Sequence, residues 1–328
     1  MHTRRLGSEG PDITVLGLGS WVFSGAGGLG LGPADDQESI NTIHHALESG
    51  INWIDTAPIY GMGHSEEVTG RALRPWKPGE DVYIFTKCGL TWPDGTGPGD
   101  FAAVQRDLRP ASIRAECEQS LRRLDIERID LYQFHWPDDA TGTAVEDSWG
   151  IMAELIEEGK VRWGGVSNFD VALLERCASI RHVDSLQVPL NLINRAVLSE
   201  VIPWCAAHGT GVITFGPLAT GLLTGTLDRN RIANLAEDDR RRSLPRFQEP
   251  HLSANLGFVD ALRATARELR TSLSSLAVAW VLSRPGVTGA ICGARRPDQV
   301  DGWLPAADIT LGDADLAEID AVIRRAGV

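Results

Sequence analysis

A single closed (β/α)8 barrel of the TIM type is the fold this sequence predicts for its 328 residues. Three observations lead there. Strand-like apolar runs alternate with amphipathic helical segments along nearly the whole chain, which is the pattern of parallel βαβ crossovers. No low-complexity linker divides the chain into two compositions, so one domain over 1–328 is expected. Titratable and polar residues recur where the apolar runs stop, and barrels of this kind keep their chemistry at the C-terminal ends of the strands.

In chain order, strands are expected over 13–21, 51–55, 82–87, 129–135, 161–167, 185–191, 211–217 and 289–293. Helices are expected between them over 39–49, 65–73, 110–124, 145–158, 172–179 and 197–208, with a pair at 258–270 and 276–283. Ahead of the first barrel strand, Gly7-Ser8-Glu9-Gly10-Pro11 reads as a turn, so the N-terminus should form a hairpin that caps the barrel bottom. An extra helix over 313–325 follows the eighth unit. The polar segment 226–254 exceeds the usual loop length and is expected to be a mobile functional loop.

Composition narrows the function. Hydrophobic residues at 43% and charged residues at 23% are ordinary for a folded globular chain. With 31 basic and 44 acidic residues the formal net charge is -13, which disfavours nucleic-acid and anionic-membrane partners. An anionic cofactor would then need a locally basic pocket. The five cysteines, Cys88, Cys117, Cys177, Cys205 and Cys292, are widely spaced with no C-x-x-C pair, which favours reduced thiols over a disulfide framework or a zinc site. His44 and His45 are adjacent on a helix and lack a third ligand, so no metal is expected. No signal-peptide core or 18-residue apolar run is visible, and a cytoplasmic protein with no evident protein partner is the expectation.

The chain is organised around Asp55-Thr56-Ala57-Pro58-Ile59-Tyr60-Gly61, where a strand hands a carboxylate and a phenol to a punctuated turn. Lys87 ends the apolar strand 82–87, which places an ammonium inside the barrel mouth. A buried ammonium needs a carboxylate partner, and Asp55 on the neighbouring strand is available. Tyr60 has an ordinary pKa of about 10, and a nearby ammonium is expected to lower it enough for general-acid work. His135 ends the run 129–135, where a neutral imidazole could orient a carbonyl oxygen. Taken singly, a snorkelling lysine, a packed tyrosine and a satisfied core histidine are the simpler readings; jointly they point to a site. Trp21, Trp92 and Trp136, with Tyr60 and His135, are candidate walls of a substrate pocket.

Gly17-Leu18-Gly19-Ser20-Trp21, Asp55-Thr56-Ala57-x-x-Tyr60-Gly61, Thr86-Lys87, His135-Trp136, Gly165-Val166-Ser167-Asn168-Phe169, Pro217-Leu218-x-x-Gly221-Leu222-Leu223-x-Gly225 and Gly293-Ala294-Arg295 together resemble the aldo-keto reductases, over about residues 3–305 and in that family's order. The resemblance implies a catalytic tetrad of Asp55, Tyr60, Lys87 and His135, and NAD(P)H extended across the barrel mouth without a Rossmann domain. Gly17-x-Gly19 is therefore not a dinucleotide fingerprint. The same resemblance places Gly19, Ser20, Trp21 and Asp55 where cofactor and substrate meet, gives Ser167, Asn168 and Gln187 to the carboxamide, and stacks Phe215 on the nicotinamide. It sets Gly216, Leu218, Gly221 and Leu223 along the pyrophosphate, and Gly293, Arg295 and Gln299 around the adenosine half.

An arginine at 295 suits a 2′-phosphate, which makes NADP(H) the first choice and NAD(H) the alternative. Two positions depart from the family's pattern: Thr226 stands where a phosphate-contacting lysine is common, and Gly302-Trp303 replaces a Glu-Asn pair that usually meets adenine. Arg240-Arg241-Arg242 or Arg246 could compensate from the long loop. The implied reaction is reversible reduction of an aldehyde or ketone, a sugar or aromatic carbonyl, to an alcohol. A regulatory NADP(H)-sensing barrel, like the potassium-channel β subunits that the sequence also resembles, is the rival. A Schiff-base aldolase using Lys87 is a third reading.

Overall fold

The computed structural model of the chain describes residues 1–25, 34–97, 100–237 and 239–328. Its first two strands, β1 (Thr3–Arg5) and β2 (Asp12–Thr14), pair antiparallel as a hairpin. The barrel proper is made of β3 (Leu16–Gly19), β4 (Trp53–Asp55), β5 (Tyr83–Cys88), β8 (Ile129–Phe134), β9 (Val161–Ser167), β10 (Ser185–Pro189), β11 (Gly211–Phe215) and β12 (Val287–Gly293). All eight run parallel, each pairs with its neighbour in chain order, and β12 closes on β3 through Ile291 opposite Gly17 and Gly293 opposite Gly19. Between β5 and β8 a small antiparallel ribbon, β6 (Leu90–Thr91) with β7 (Gln105–Arg106), stands over the mouth.

The crossover helices are α1 (Asp36–Glu48), α2 (His64–Ala72), α3 (Pro110–Leu124), α4 (Val145–Glu157), α5 (Val171–Ala178), α6 (Val201–His208), the pair α8 (His251–Glu268) and α9 (Leu273–Leu282), and α10 (Pro297–Trp303), with α7 (Arg229–Ala233) in the long segment before α8. Local chemistry sets their starts. Asp35 caps α1 by accepting from the Glu38 N–H, Asp170 caps α5 from Leu173, Ser272 caps α9 from Ser275, and proline occupies the first turn of α3. The last helix, α11 (Asp313–Ala326), buries Ile319, Val322 and Ile323 and packs against α8.

Several boundaries differ from the sequence expectation. The run 13–21 is not one strand: β2 belongs to the hairpin, β3 to the barrel, and Ser20–Phe23 turns into a 3-10 helix. An uninterrupted apolar run cannot reveal where a chain changes partner, because both pieces are buried. The expected helix 197–208 divides into a 3-10 turn, Ala196–Leu198, followed by α6. Segment 226–254 carries α7, two 3-10 turns (Arg240–Ser243 and Pro245–Phe247) and the first turn of α8; Asp238 within it lies outside the described residues. Helix α10 was hidden by its shortness.

Inside the barrel, strand alternation layers the side chains. Leu6 and Ile13 from the hairpin pack with Trp53, Phe85, Leu131, Ile213 and Ile291, so the bottom is closed by apolar bulk. Trp53 is the largest member and explains Gly17: a Cβ there would stand 2.2 Å from the indole. The first glycine of Gly17-x-Gly19 makes room for a ring, and Gly19 reaches the mouth. Replacing Gly17 with alanine should lower stability by about 1–3 kcal/mol, read from urea unfolding; an unchanged midpoint would show that the indole is not confined as described.

Candidate active site

Alternation along β5 turns Thr86 outward, where its hydroxyl donates to the buried Glu66 at 2.6 Å, and Lys87 inward. The Lys87 ammonium is fully enclosed. It donates to Asp55 Oδ1 at 2.5 Å, to the Thr56 carbonyl at 2.9 Å and to the Tyr60 hydroxyl at 3.4 Å. Tyr60 comes from the turn after β4, which is held by the Gly63 N–H donating to the Pro58 carbonyl at 2.6 Å. Its ring meets His135 edge-on, with centroids 5.8 Å apart. The four residues therefore converge at the ends of three adjacent strands.

Beneath them lies a polar layer that sequence reading only partly anticipated. Asp55 Oδ2 accepts from Gln187 Nε2 at 2.8 Å and from Gln133 Nε2 at 3.3 Å, and Gln187 Nε2 also donates to Gln133 Oε1 at 3.2 Å. Gln133 was missed, although a glutamine among the apolar residues of Ile129–Phe134 was a usable signal. Asn168 takes a left-handed conformation (φ 63°), and its Nδ2 donates both to the His135 carbonyl and to Ser167 Oγ at 3.0 Å. This ties the end of β8 to the end of β9.

The electrostatics follow from burial against pairing. Burial works against the Lys87 ammonium, but Asp55 and then Tyr60 more than offset it, and its pKa lies above the ordinary lysine value. A charged, paired amine is a poor Schiff-base nucleophile, which counts against the aldolase reading. Burial raises the Tyr60 phenol, and the opposing pull of Lys87 does not overcome it. The expected lowering is thus reversed: desolvation of the phenolate is the larger effect, and Tyr60 is a protonated donor at neutral pH. Burial, aided by Lys87, holds His135 well below its ordinary value, so its ring is neutral there.

These groups open into a cleft of about 1100 Å³. At the tetrad end its wall includes Trp21, Ile59, Leu90, Phe101, Val104, Arg106 and Trp136, with the Arg106 guanidinium 5.2 Å over the Trp136 ring. Gly19, Ser167, Asn168, Gln187, Phe215, Gly216, Leu218, Gly221, Gly293, Arg295 and Gln299 all face the same cleft. Three expected members do not. Ser20 is buried and accepts from Ser65 Oγ at 2.8 Å, Leu223 packs into the core, and Trp92 lies beyond β6, away from the lining. The 3-10 turn removes Ser20, and Phe101 and Val104 line the cleft where Trp92 does not.

The far end of the cleft is basic. Seven arginines line the whole cavity against two aspartates, and all but Arg106 come from 231–296, which gives an acidic protein a local site for an anion. Arg240, Arg241 and Arg246 reach it, whereas Arg242 donates to the Leu235 carbonyl. Arg241 pairs with Asp239 at 2.5 Å. Arg295 is different: its buried Nε and Nη2 have no hydrogen-bond partner among the described residues. Burial, then Arg241, lowers its pKa. Gln299 Oε1 accepts from its backbone N–H at 2.7 Å and so fixes its base. Between the two ends Ala219, Thr220 and Gly221 all take positive φ (48°, 61° and 91°), a strained backbone run at the cleft edge. Among the described residues no three His, Cys, Asp or Glu side chains cluster to hold a metal, and no helix is long and apolar enough to cross a membrane.

A profile of the Aldo/keto reductase family matches residues 15–324. The chain belongs to the aldo-keto reductases. Among curated members of this reductase family, it is 34% identical to the aldo-keto reductase YhdN of Bacillus subtilis, over 98% of this chain and 94% of that protein. It is 33% identical to the NADH-specific methylglyoxal reductase of Escherichia coli, over 94% of each. Among solved structures, a glycerol dehydrogenase of Gluconobacter oxydans superimposes with a TM-score of 0.87 at 37% identity, covering 98% of this chain and 95% of that chain.

The Lys87–Asp55 pair generates a stability prediction. Lys87→Met leaves a buried carboxylate without its cation and should cost about 3–5 kcal/mol, whereas Asp55→Asn with Lys87→Met should recover a large part of that. Denaturant titration of the three variants checks it. Simple additivity of the two single changes would mean that the pair is not coupled.

Proposed function

We propose that this protein is a nicotinamide-dependent carbonyl reductase that interconverts an aldehyde or ketone and its alcohol, with NADP(H) as the preferred cofactor. One observation carries the reading: a single cleft joins a proton-donating constellation at one end to a cluster of arginines at the other, one of them with buried, unpartnered donors. The residues fit such a cofactor. Arg295 would hold a 2′-phosphate with the neighbouring Arg240, Arg241 and Arg246; Phe215 would cover the nicotinamide; Ser167, Asn168 and Gln187 would bind its carboxamide. When bound, the reduced nicotinamide supplies the hydride.

The chain's own residues manage the oxygen. His135, neutral, donates an N–H to the substrate carbonyl oxygen and fixes it beside Tyr60. Tyr60 gives its proton to that oxygen as negative charge develops there. Lys87, held charged by Asp55, stabilises the phenolate that remains, and in the alcohol-to-carbonyl direction the same phenolate is the base. Trp21 and Trp136 line the substrate end. The relatives' names, a methylglyoxal reductase and a glycerol dehydrogenase, support small oxygenated carbonyls and alcohols as the first substrates to try.

Tyr60→Phe should reduce kcat for carbonyl reduction by about a hundred-fold or more; a carbonyl panel that includes sugars and aromatic aldehydes, assayed with NADPH and NADH in parallel, checks it, and full retained activity would sink the acid assignment. The pH profile of the unaltered enzyme has a defined sign. Tyr60 is raised, so reduction stays level through neutral pH and declines only above about pH 10, the ordinary phenol range; His135 is lowered, so no break occurs at about 6.5.

Arg295→Ala tests the cofactor choice. NADPH affinity should fall about ten-fold or more, and NADH affinity much less, as read by fluorescence titration. Equal losses would make NADH the better assignment, which is the preference named for the Escherichia coli relative.

A further inference from the structure

We infer that Gln133, which lies outside the cleft, is a positioning residue that locks the Gln187 side-chain amide in one orientation and thereby presents an acceptor to the nicotinamide carboxamide. The inference rests on the nicotinamide-dependent reading above and deepens it.

Asp55 is buried, and its Oδ1 is taken by Lys87, so the oxygen facing the two glutamines is Oδ2 of an ionised carboxylate, which only accepts. The Gln187 atom 2.8 Å away must then be Nε2. That nitrogen has two protons. The first goes to Asp55, and the second to Gln133 Oε1 at 3.2 Å. Gln133 in turn spends its own Nε2 on the same Asp55 oxygen at 3.3 Å, which fixes its amide so that Oε1 faces Gln187.

The three side chains form a closed triangle at the ends of β4, β8 and β10, with its polarity set by the carboxylate. Gln187 lines the cleft and Gln133 does not, so what remains for a ligand is Gln187 Oε1, an acceptor. A carboxamide NH2 is the group that matches it. Without Gln133, one Gln187 proton is buried unpaired, and Asp55 Oδ2 is left as the single anchor of the amide, about which Oε1 can swing out of line with its ligand.

The test compares two ligands on the intact protein by titration: NADPH, and ADP bearing a 2′-phosphate, which lacks the nicotinamide half. Gln133→Met, similar in size but unable to hydrogen-bond, should raise the NADPH Kd about ten-fold and leave the fragment's Kd within about two-fold. Gln133→Glu should restore most of the NADPH affinity at mildly acidic pH. Buried beside Asp55, its carboxyl is protonated there and again offers one donor and one acceptor. Rescue should fade as pH rises and this acid ionises.

A Gln133→Met protein with unaltered melting and an unchanged ratio of the two Kd values would overturn the inference, as would equal weakening of both ligands. If Gln133→Met does not fold, Gln133→Glu decides alone: an NADPH-to-fragment ratio that does not move with pH overturns it. Failure of the unaltered protein to bind either ligand would instead overturn the cofactor reading.

Discussion

The site depends on one buried charge pair. An ammonium with no exposure at a strand end is tolerable only when a carboxylate lies against it, and Asp55 meets Lys87 at 2.5 Å across adjacent strands. Much else at the mouth answers to that pair. Tyr60 is placed at hydrogen-bond reach of Lys87, the two glutamines satisfy the oxygen of Asp55 that Lys87 leaves, and the Thr56 carbonyl takes another ammonium proton. The pair also bears on its surroundings: Lys87 adds to burial in opposing a charge on His135, and Asp55 favours the charged form of the Lys87 amine.

The barrel provides this at little cost in special structure. Parallel strands in register put every second side chain inside, so Trp53 and Asp55, Phe85 and Lys87, and Leu131 and Gln133 are successive inward residues, apolar below and polar above. The boundary between the two layers is where each strand ends. Chemistry at the mouth is thus a consequence of length and phase along the strands, and glycines such as Gly17 adjust the filling where a ring is too large for its layer.

This explains what could be read in the sequence. Alternation of strands and helices, strand-end polar residues and their spacing are local properties, so the barrel, its eight strands, the hairpin and the convergence of Asp55, Tyr60, Lys87 and His135 at the mouth were legible. Three kinds of feature were not. The break between β2 and β3 depends on which neighbour each half pairs with, and that is a tertiary matter. The sign of the Tyr60 shift depends on how completely its surroundings exclude water, which proximity to a lysine does not reveal. Arg295 and the arginines of the long loop were expected at the basic end of the cleft, but that Arg231 joins Arg240, Arg241 and Arg246 there, while Arg242 turns away, depends on how the segment folds. Gln133 was visible as a polar residue in an apolar run, but its partner Gln187 is 54 positions away.

The hairpin floor has a kinetic meaning. Among the described residues, Leu6, Ile13 and the Trp53 indole fill the axis at the base with apolar side chains, and Lys87 sits below the lip with no exposure. On the proposed mechanism, a proton given up by Tyr60 would be replaced from the same side on which ligands arrive and depart. Reprotonation and ligand exchange share a doorway, so an occupied cleft isolates its acid from bulk solvent until it empties.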